Sequence, residues 1–294
     1  MRTSILAIVI GLVAAFGAYS PVAAAQTSTA KVVIIVGADT PQYIDDANQV
    51  YNEAIKYTSN VVKVYSPKAT WSAVKSATTN ANIVIYMGHG NGWPSPYTYD
   101  PAYTTKDGFG LNATAGTTHT NLKYYGEPSI RTLDLAPNAV VLLFHLCYAS
   151  GNSEPGKTAP TLSQAKARAD NYGSAFLKAG ASVVIADGHM HSGYVAALFS
   201  GSRSLGTMWR KMSNYHENDI AFTPTRSTGK AVLDPDKGPS SPSGFYRSIV
   251  GNLDVTTSTV LGQIPTGSVV ADRTDATSLA SRMFLGGVRV ISSR

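Results

Sequence analysis

Residues 31–37 read Lys-Val-Val-Ile-Ile-Val-Gly, an unbroken apolar run between a lysine and a closing glycine. A strand with one wet face alternates apolar and polar side chains. A run without alternation predicts a strand covered on both faces, as in a parallel sheet flanked by helices. The next segment fits a crossover helix. Asp39 or Thr40 is placed to cap it, Pro41 sits near its first turn, and Ile44, Ala47, Val50, Tyr51, Ala54 and Ile55 recur at helical spacing. The rhythm then repeats. Residues 60–65 (NVVKVY) predict a second strand, nearer an edge because Lys63 interrupts it. Residues 71–77 predict a short helix, and 82–87 (NIVIYM) a third, buried strand. A fourth strand follows at 139–146 (AVVLLFHL), a helix at 161–179 ended by Gly180, and a fifth strand at 182–186 (SVVIA). Strands alternating with helices imply parallel pairing through right-handed crossovers. Every strand C-terminus then lies on one edge of the sheet, where open α/β sheets place their sites.

Two regions leave this rhythm. Residues 90–135 are rich in Gly, Tyr, Thr and Pro and show no period; a loop of that length has a function or hides small strands. From about Thr223 the chain is rich in turn residues, followed by β-like runs at 245–255 and 287–291. This part reads as a β-rich extension packed on the main domain. The expected organisation is therefore a leader at 1–25, an α/β domain at 26–222 carrying the insert 90–135, and the extension at 223–294.

The leader reads as a secretory signal peptide. Arg2 gives the positive start, 4–16 is apolar, and Ala23 and Ala25 satisfy the small-x-small rule, so cleavage is expected after Ala25. The apolar run is shorter than the ~20 residues that a bilayer requires and ends at Ser20-Pro21. Secretion, to the extracellular space or a periplasm, is expected, with no membrane span. The 294 residues are 44% hydrophobic and only 14% charged, with a net charge of +6. Without a Lys/Arg cluster, this weak basic bias argues against nucleic-acid binding. Cys147 is the single cysteine. In an oxidising compartment a lone cysteine is buried and inert, joined to another molecule, or kept for its reactivity.

Two of the predicted strands run into reactive side chains. The third leads into Gly88-His89-Gly90, and the fourth into His145-Leu146-Cys147 with Ser150-Gly151 close behind. If the strands are neighbours, His89 and Cys147 stand side by side. An imidazole lets a cysteine become a thiolate or lose its proton during attack, and the same ring then protonates the leaving amine. The amides of Gly90 and Cys147 are natural donors for the oxyanion of a tetrahedral intermediate.

This constellation resembles the caspase–legumain–gingipain–clostripain group of cysteine peptidases, in which a His-Gly ends one strand and the nucleophile ends the next. The resemblance covers about 31–187. The separation of His89 and Cys147 is close to the roughly 50 residues of caspases. It implies a caspase-like three-layer fold with a mainly parallel central sheet, a polypeptide substrate and no organic cofactor. Catalytic roles fall on Cys147 and His89, and the oxyanion site on Gly90 and Cys147. The sequence departs from the group at position 145, where histidine replaces the Gln or Glu found two before the nucleophile. A non-catalytic binding domain of the same fold is the alternative. His145, being two before Cys147, is expected on the same face of the strand. Asp187, ending the neighbouring strand, is expected to orient His145 or to line a pocket for a basic side chain. Ser150 completes the candidate substrate pocket.

Two further motifs compete. Gly151-Asn-Ser-Glu-Pro-Gly-Lys157-Thr158 matches the nucleotide-binding P-loop pattern after a buried strand, but Glu154 would repel phosphates and Pro160 falls where the helix should already run. His189 and His191 have the spacing of a metal pair without an evident third ligand, so no metal is expected.

Overall fold

The computed structural model describes residues 28–189, 193–238 and 240–262. The leader, its cleavage site and the 287–291 run lie outside them. In chain order the elements are β1 (Val32–Val36), α1 (Ile44–Ala54), β2 (Val61–Tyr65), α2 (Trp71–Thr78) and β3 (Ile83–Met87). Then come β4 (Phe109–Asn112), β5 (Leu122–Tyr125), α3 (Glu127–Ile130), β6 (Val140–Phe144), α4 (Leu162–Leu177) and β7 (Val183–Asp187). The described chain closes with α5 (Gly193–Phe199), α6 (Leu205–Arg210), β8 (Ile220–Phe222), β9 (Lys230–Leu233), β10 (Arg247–Gly251) and α7 (Thr257–Val260).

Eight strands form one sheet in the order β2-β1-β3-β6-β7-β10-β9-β8. The five predicted strands pair in parallel. β2 is one of the two edge strands, and its Lys63 is exposed. The central strands β1, β3, β6 and β7 are buried at every position, which is why their sequences do not alternate.

Within those strands, odd and even positions feed different layers. Ile34, Ile85, Leu142 and Ile185 face α1, α5, α6 and α7. Val33, Val84, Val141 and Val184 face α2, α3 and α4. Helices therefore cover both faces of the sheet. The α4 boundary follows local chemistry. Thr161 and Gln164 form a reciprocal capping box at its start, and Gly180, at φ +99°, ends the turn after it. No helix among the described residues is long and apolar enough to cross a membrane.

The two irregular regions resolve differently. The 90–135 insert contains the antiparallel β4–β5 pair and α3, and Phe109 and Leu111 of β4 are buried against the α4 side of the sheet. The β-rich tail does not form a separate appendage. β10 pairs antiparallel with β7, and β9 and β8 continue outward, so these strands complete the main sheet. β8 lies before residue 223, and the expected boundary there cuts through the strand group.

Candidate active site

Parallel pairing sets the site. In the β3–β6 register Met87 lies opposite Phe144, so Gly88-His89-Gly90 and His145-Leu146-Cys147 leave the sheet edge together. The β3 exit is held from below. The Tyr86 hydroxyl lies 3.0 Å from the carbonyl oxygens of His89 and Gly110 and accepts a hydrogen bond from the Gly110 amide at 3.0 Å. The β6 exit turns sharply: His145 has φ +56°, Tyr148 φ +71° and Gly151 φ +112°. β6 has already ended at Phe144, so strand alternation does not govern His145 and Cys147. The expectation of a shared strand face gives way to a left-handed turn that carries both into one cleft.

Gly90 meets Cys147 directly. A Cβ at Gly90 would lie 2.3 Å from the Cys147 carbonyl oxygen and 2.8 Å from the Tyr172 hydroxyl, so only glycine allows this approach. The backbone amides of Cys147 itself and of Gly90 favour the thiolate, but burial opposes them more strongly. Burial first, then the Glu154 carboxylate, pushes the Cys147 thiol up to about 11. The resting residue is a thiol.

His89 is half-buried at the end of β3. Its ring makes no hydrogen bond to Cys147 among the described residues, and it does not line the cleft that opens beside the sulfur. That cleft, about 440 Å³, is walled by Tyr43, His145, Ser150, Glu154, His189 and Tyr246 around Cys147. His145 stacks on Tyr43 with ring centroids 4.3 Å apart and planes 4° apart, and its Nε2 lies 3.4 Å from an Asp46 carboxylate oxygen. Burial lowers the His145 pKa against the opposing pull of Asp46. On the far wall His189 packs against Tyr246 at 4.8 Å. Ser150 is buried, with only 2% of its surface exposed.

Asp187 is not on the pocket wall. Its backbone oxygen accepts from the His145 amide at 3.2 Å, but its side chain points into the protein. The carboxylate accepts from Asn214 Nδ2 at 2.7 Å and from the Tyr194 hydroxyl at 3.2 Å, and lies 3.7 Å from Arg247 Nε. Arg247 is Asp187's partner across the β7–β10 register. It also pairs with the buried Asp234 and donates to the Trp209 carbonyl at 2.9 Å. The expected carboxylate for a basic substrate side chain, or for orienting the His145 ring, is thus committed to a buried ion cluster.

The P-loop match lacks its structure. The phosphate-binding pattern requires a helix that starts at the Gly-Lys-Thr, but α4 begins at Leu162, beyond Pro160. Lys157 instead donates its backbone amide to the Glu154 carbonyl at 3.2 Å, and Ser153 caps the Thr158 carbonyl at 2.7 Å. The segment is a loop forming one wall of the cleft. His191 of the suspected metal pair lies outside the described residues.

Sequence reasoning did not single out Tyr43 or Tyr246 as site residues, and it saw Glu154 only as a phosphate repeller. Tyr43 and Tyr246 come from the β1 exit and the residue before β10, brought to the cleft by strand order alone. Glu154 had a signal: it follows Cys147 closely in the loop leaving the same strand. No protein-family model matches the chain, and no curated protein matches its sequence.

Proposed function

We propose that this chain is an exported cysteine endopeptidase, or a related acyl-transfer hydrolase, of the caspase-like fold, with Cys147 as nucleophile and His89 as base. The observation that carries this reading is the close approach of Gly90 to Cys147 where the adjacent parallel strands β3 and β6 leave the sheet, which sets the Gly90 and Cys147 amides beside the nucleophile. Two convergent N–H donors beside a nucleophile are what an acyl-transfer oxyanion needs.

The raised thiol pKa supports one of the two activation routes. Cys147 loses its proton during attack, not before it. The sulfur adds to the scissile carbonyl carbon as its proton passes to His89. The carbonyl oxygen becomes an oxyanion held by the Gly90 and Cys147 amides. Collapse breaks the C–N bond, and His89 returns the proton to the departing amine. Water, deprotonated by His89, then cleaves the Cys147 thioester, releasing a carboxylate and restoring the thiol.

The test is iodoacetamide blocking of the folded protein at mildly alkaline pH. Stoichiometric labelling of Cys147 that abolishes cleavage of unfolded casein supports the reading; cleavage that survives full labelling removes it. A second reading, a non-catalytic binding domain of the same fold, draws on the absence of a His89–Cys147 hydrogen bond and on the high thiol pKa. It predicts casein binding with no cleavage in the unlabelled protein.

A further inference from the structure

Beside the cleft, the chain holds up a set of aromatic rings that the fold does not need for its core. Tyr97 and Tyr99 are 47% and 48% exposed, and among the described residues the only other large hydrophobic side chain this exposed is Ile55. Large rings left in water mark interaction surfaces more often than isolated small residues do. Trp93 packs on Tyr99 at 4.6 Å with planes 40° apart, and Tyr103 meets Tyr99 edge-on at 6.1 Å.

The backbone under these rings is fixed from several sides. Asn171 of α4 donates to the Trp93 carbonyl at 2.7 Å, and Arg168 Nε donates to the Pro94 carbonyl at 2.6 Å. The Trp93 amide donates to the buried Asp107 at 3.2 Å. Arg226 lies over the Tyr103 ring at 4.0 Å. Rings held on a braced backbone lose little entropy when a ligand arrives.

The patch is continuous with the cleft. Gly92 packs against Tyr148, the residue after Cys147, so closely that a Cβ there would lie 2.4 Å from the Tyr148 Cβ. The Tyr97 hydroxyl donates to Glu154, a cleft residue, at 2.6 Å. We infer that Trp93, Tyr97 and Tyr99 form an extended subsite that binds apolar side chains of an unfolded or extended polypeptide several residues from the bond held at Cys147. This deepens, and rests on, the peptidase reading. Polypeptide fits better than glycan because the rings are tilted and edge-on to one another. Trp93 and Tyr99 meet at 40° and Tyr103 stands edge-on to Tyr99, so these rings do not form the flat platform on which a sugar ring stacks.

Binding is measured without catalysis, so that failure here is separable from failure of the peptidase reading. The Cys147→Ala protein is titrated with fluorescein-labelled unfolded casein, with and without Tyr97→Ala and Tyr99→Ala together. Loss of two anchoring rings is expected to weaken binding about tenfold or more. Tyr97→Phe, which keeps the ring and removes the Glu154 hydrogen bond, is expected to retain casein affinity, and thermal melting confirms that all variants remain folded. Casein affinity indifferent to the double substitution overturns the inference. So does a ring-dependent affinity for chitohexaose with none for casein. Ring-dependent casein binding in a chain that proves unable to cleave casein would keep the binding surface and discard the peptidase reading.

Discussion

Gly90 and Cys147 occupy adjacent strand exits so tightly that the space for one methyl group at Gly90 is already filled by the Cys147 carbonyl oxygen, 2.3 Å from the Cβ position. This contact fixes where the two candidate oxyanion donors lie. Gly90→Ala is therefore expected to destabilise the fold by about 1–3 kcal/mol through overpacking and to depress hydrolysis by displacing the Gly90 amide. Chemical denaturation together with casein cleavage checks both effects. A variant of unchanged stability and activity would show that the approach is looser than described.

Glu154 is the charge that most opposes ionisation of Cys147, after burial itself. An anion beside an acid makes its deprotonation harder, so removing the anion makes it easier. In the parent, iodoacetamide labelling is expected to be slow at neutral pH and to rise about tenfold per pH unit as the thiolate fraction grows. With the thiol at about 11, the midpoint lies well into the alkaline range. Glu154→Gln should move that midpoint to lower pH. Labelling rates across pH for parent and variant measure it; an unmoved or raised midpoint contradicts the assignment.

Asp187 and Arg247 are buried opposite each other on β7 and β10, with Asp234 completing the cluster. Breaking a buried pair by removing one partner leaves an uncompensated charge. Arg247→Ala is expected to cost about 3–5 kcal/mol. Asp187→Asn is expected to lower stability while leaving side-chain preference unchanged in a fluorogenic panel, because the carboxylate does not reach the cleft. A selective loss of basic substrates at full stability would return Asp187 to the pocket.

Lys157 stands in a loop that ends before α4 begins. Lys157→Ala should change stability by no more than about 0.5 kcal/mol, as exposed substitutions do. ATP with magnesium should leave the melting temperature of the parent unmoved. A nucleotide-dependent rise that vanishes in the variant would revive the phosphate-binding reading.

The parallel half of the fold was legible because its information is local. Runs such as 32–36 and 83–87 are apolar throughout, and their C-terminal ends point to one edge. That edge also predicted that the exits carrying His89, Gly90 and Cys147 would be neighbours, as the β3–β6 register has them. What escaped is long-range. β8 and β9 are short, and the turn-rich surroundings do not announce that β10 pairs antiparallel with β7 and carries β9 and β8 outward. Arg247 lies far along the chain from Asp187, so nothing in the Asp-Gly-His turn revealed where that carboxylate would go. The 90–135 insert hid β4, β5 and α3 because its burial is against neighbouring layers and leaves no periodic trace. The left-handed turn at His145 likewise depends on φ angles that its residue type does not demand.

The most direct measurement is cleavage of fluorescein-labelled unfolded casein by the parent, Cys147→Ala and His89→Ala, each verified as folded by thermal melting. The account predicts fragment release by the parent, none above background with Cys147→Ala, and a fall of about a hundred- to ten-thousand-fold with His89→Ala. Cleavage that persists in Cys147→Ala, or that is indifferent to His89→Ala, would contradict it.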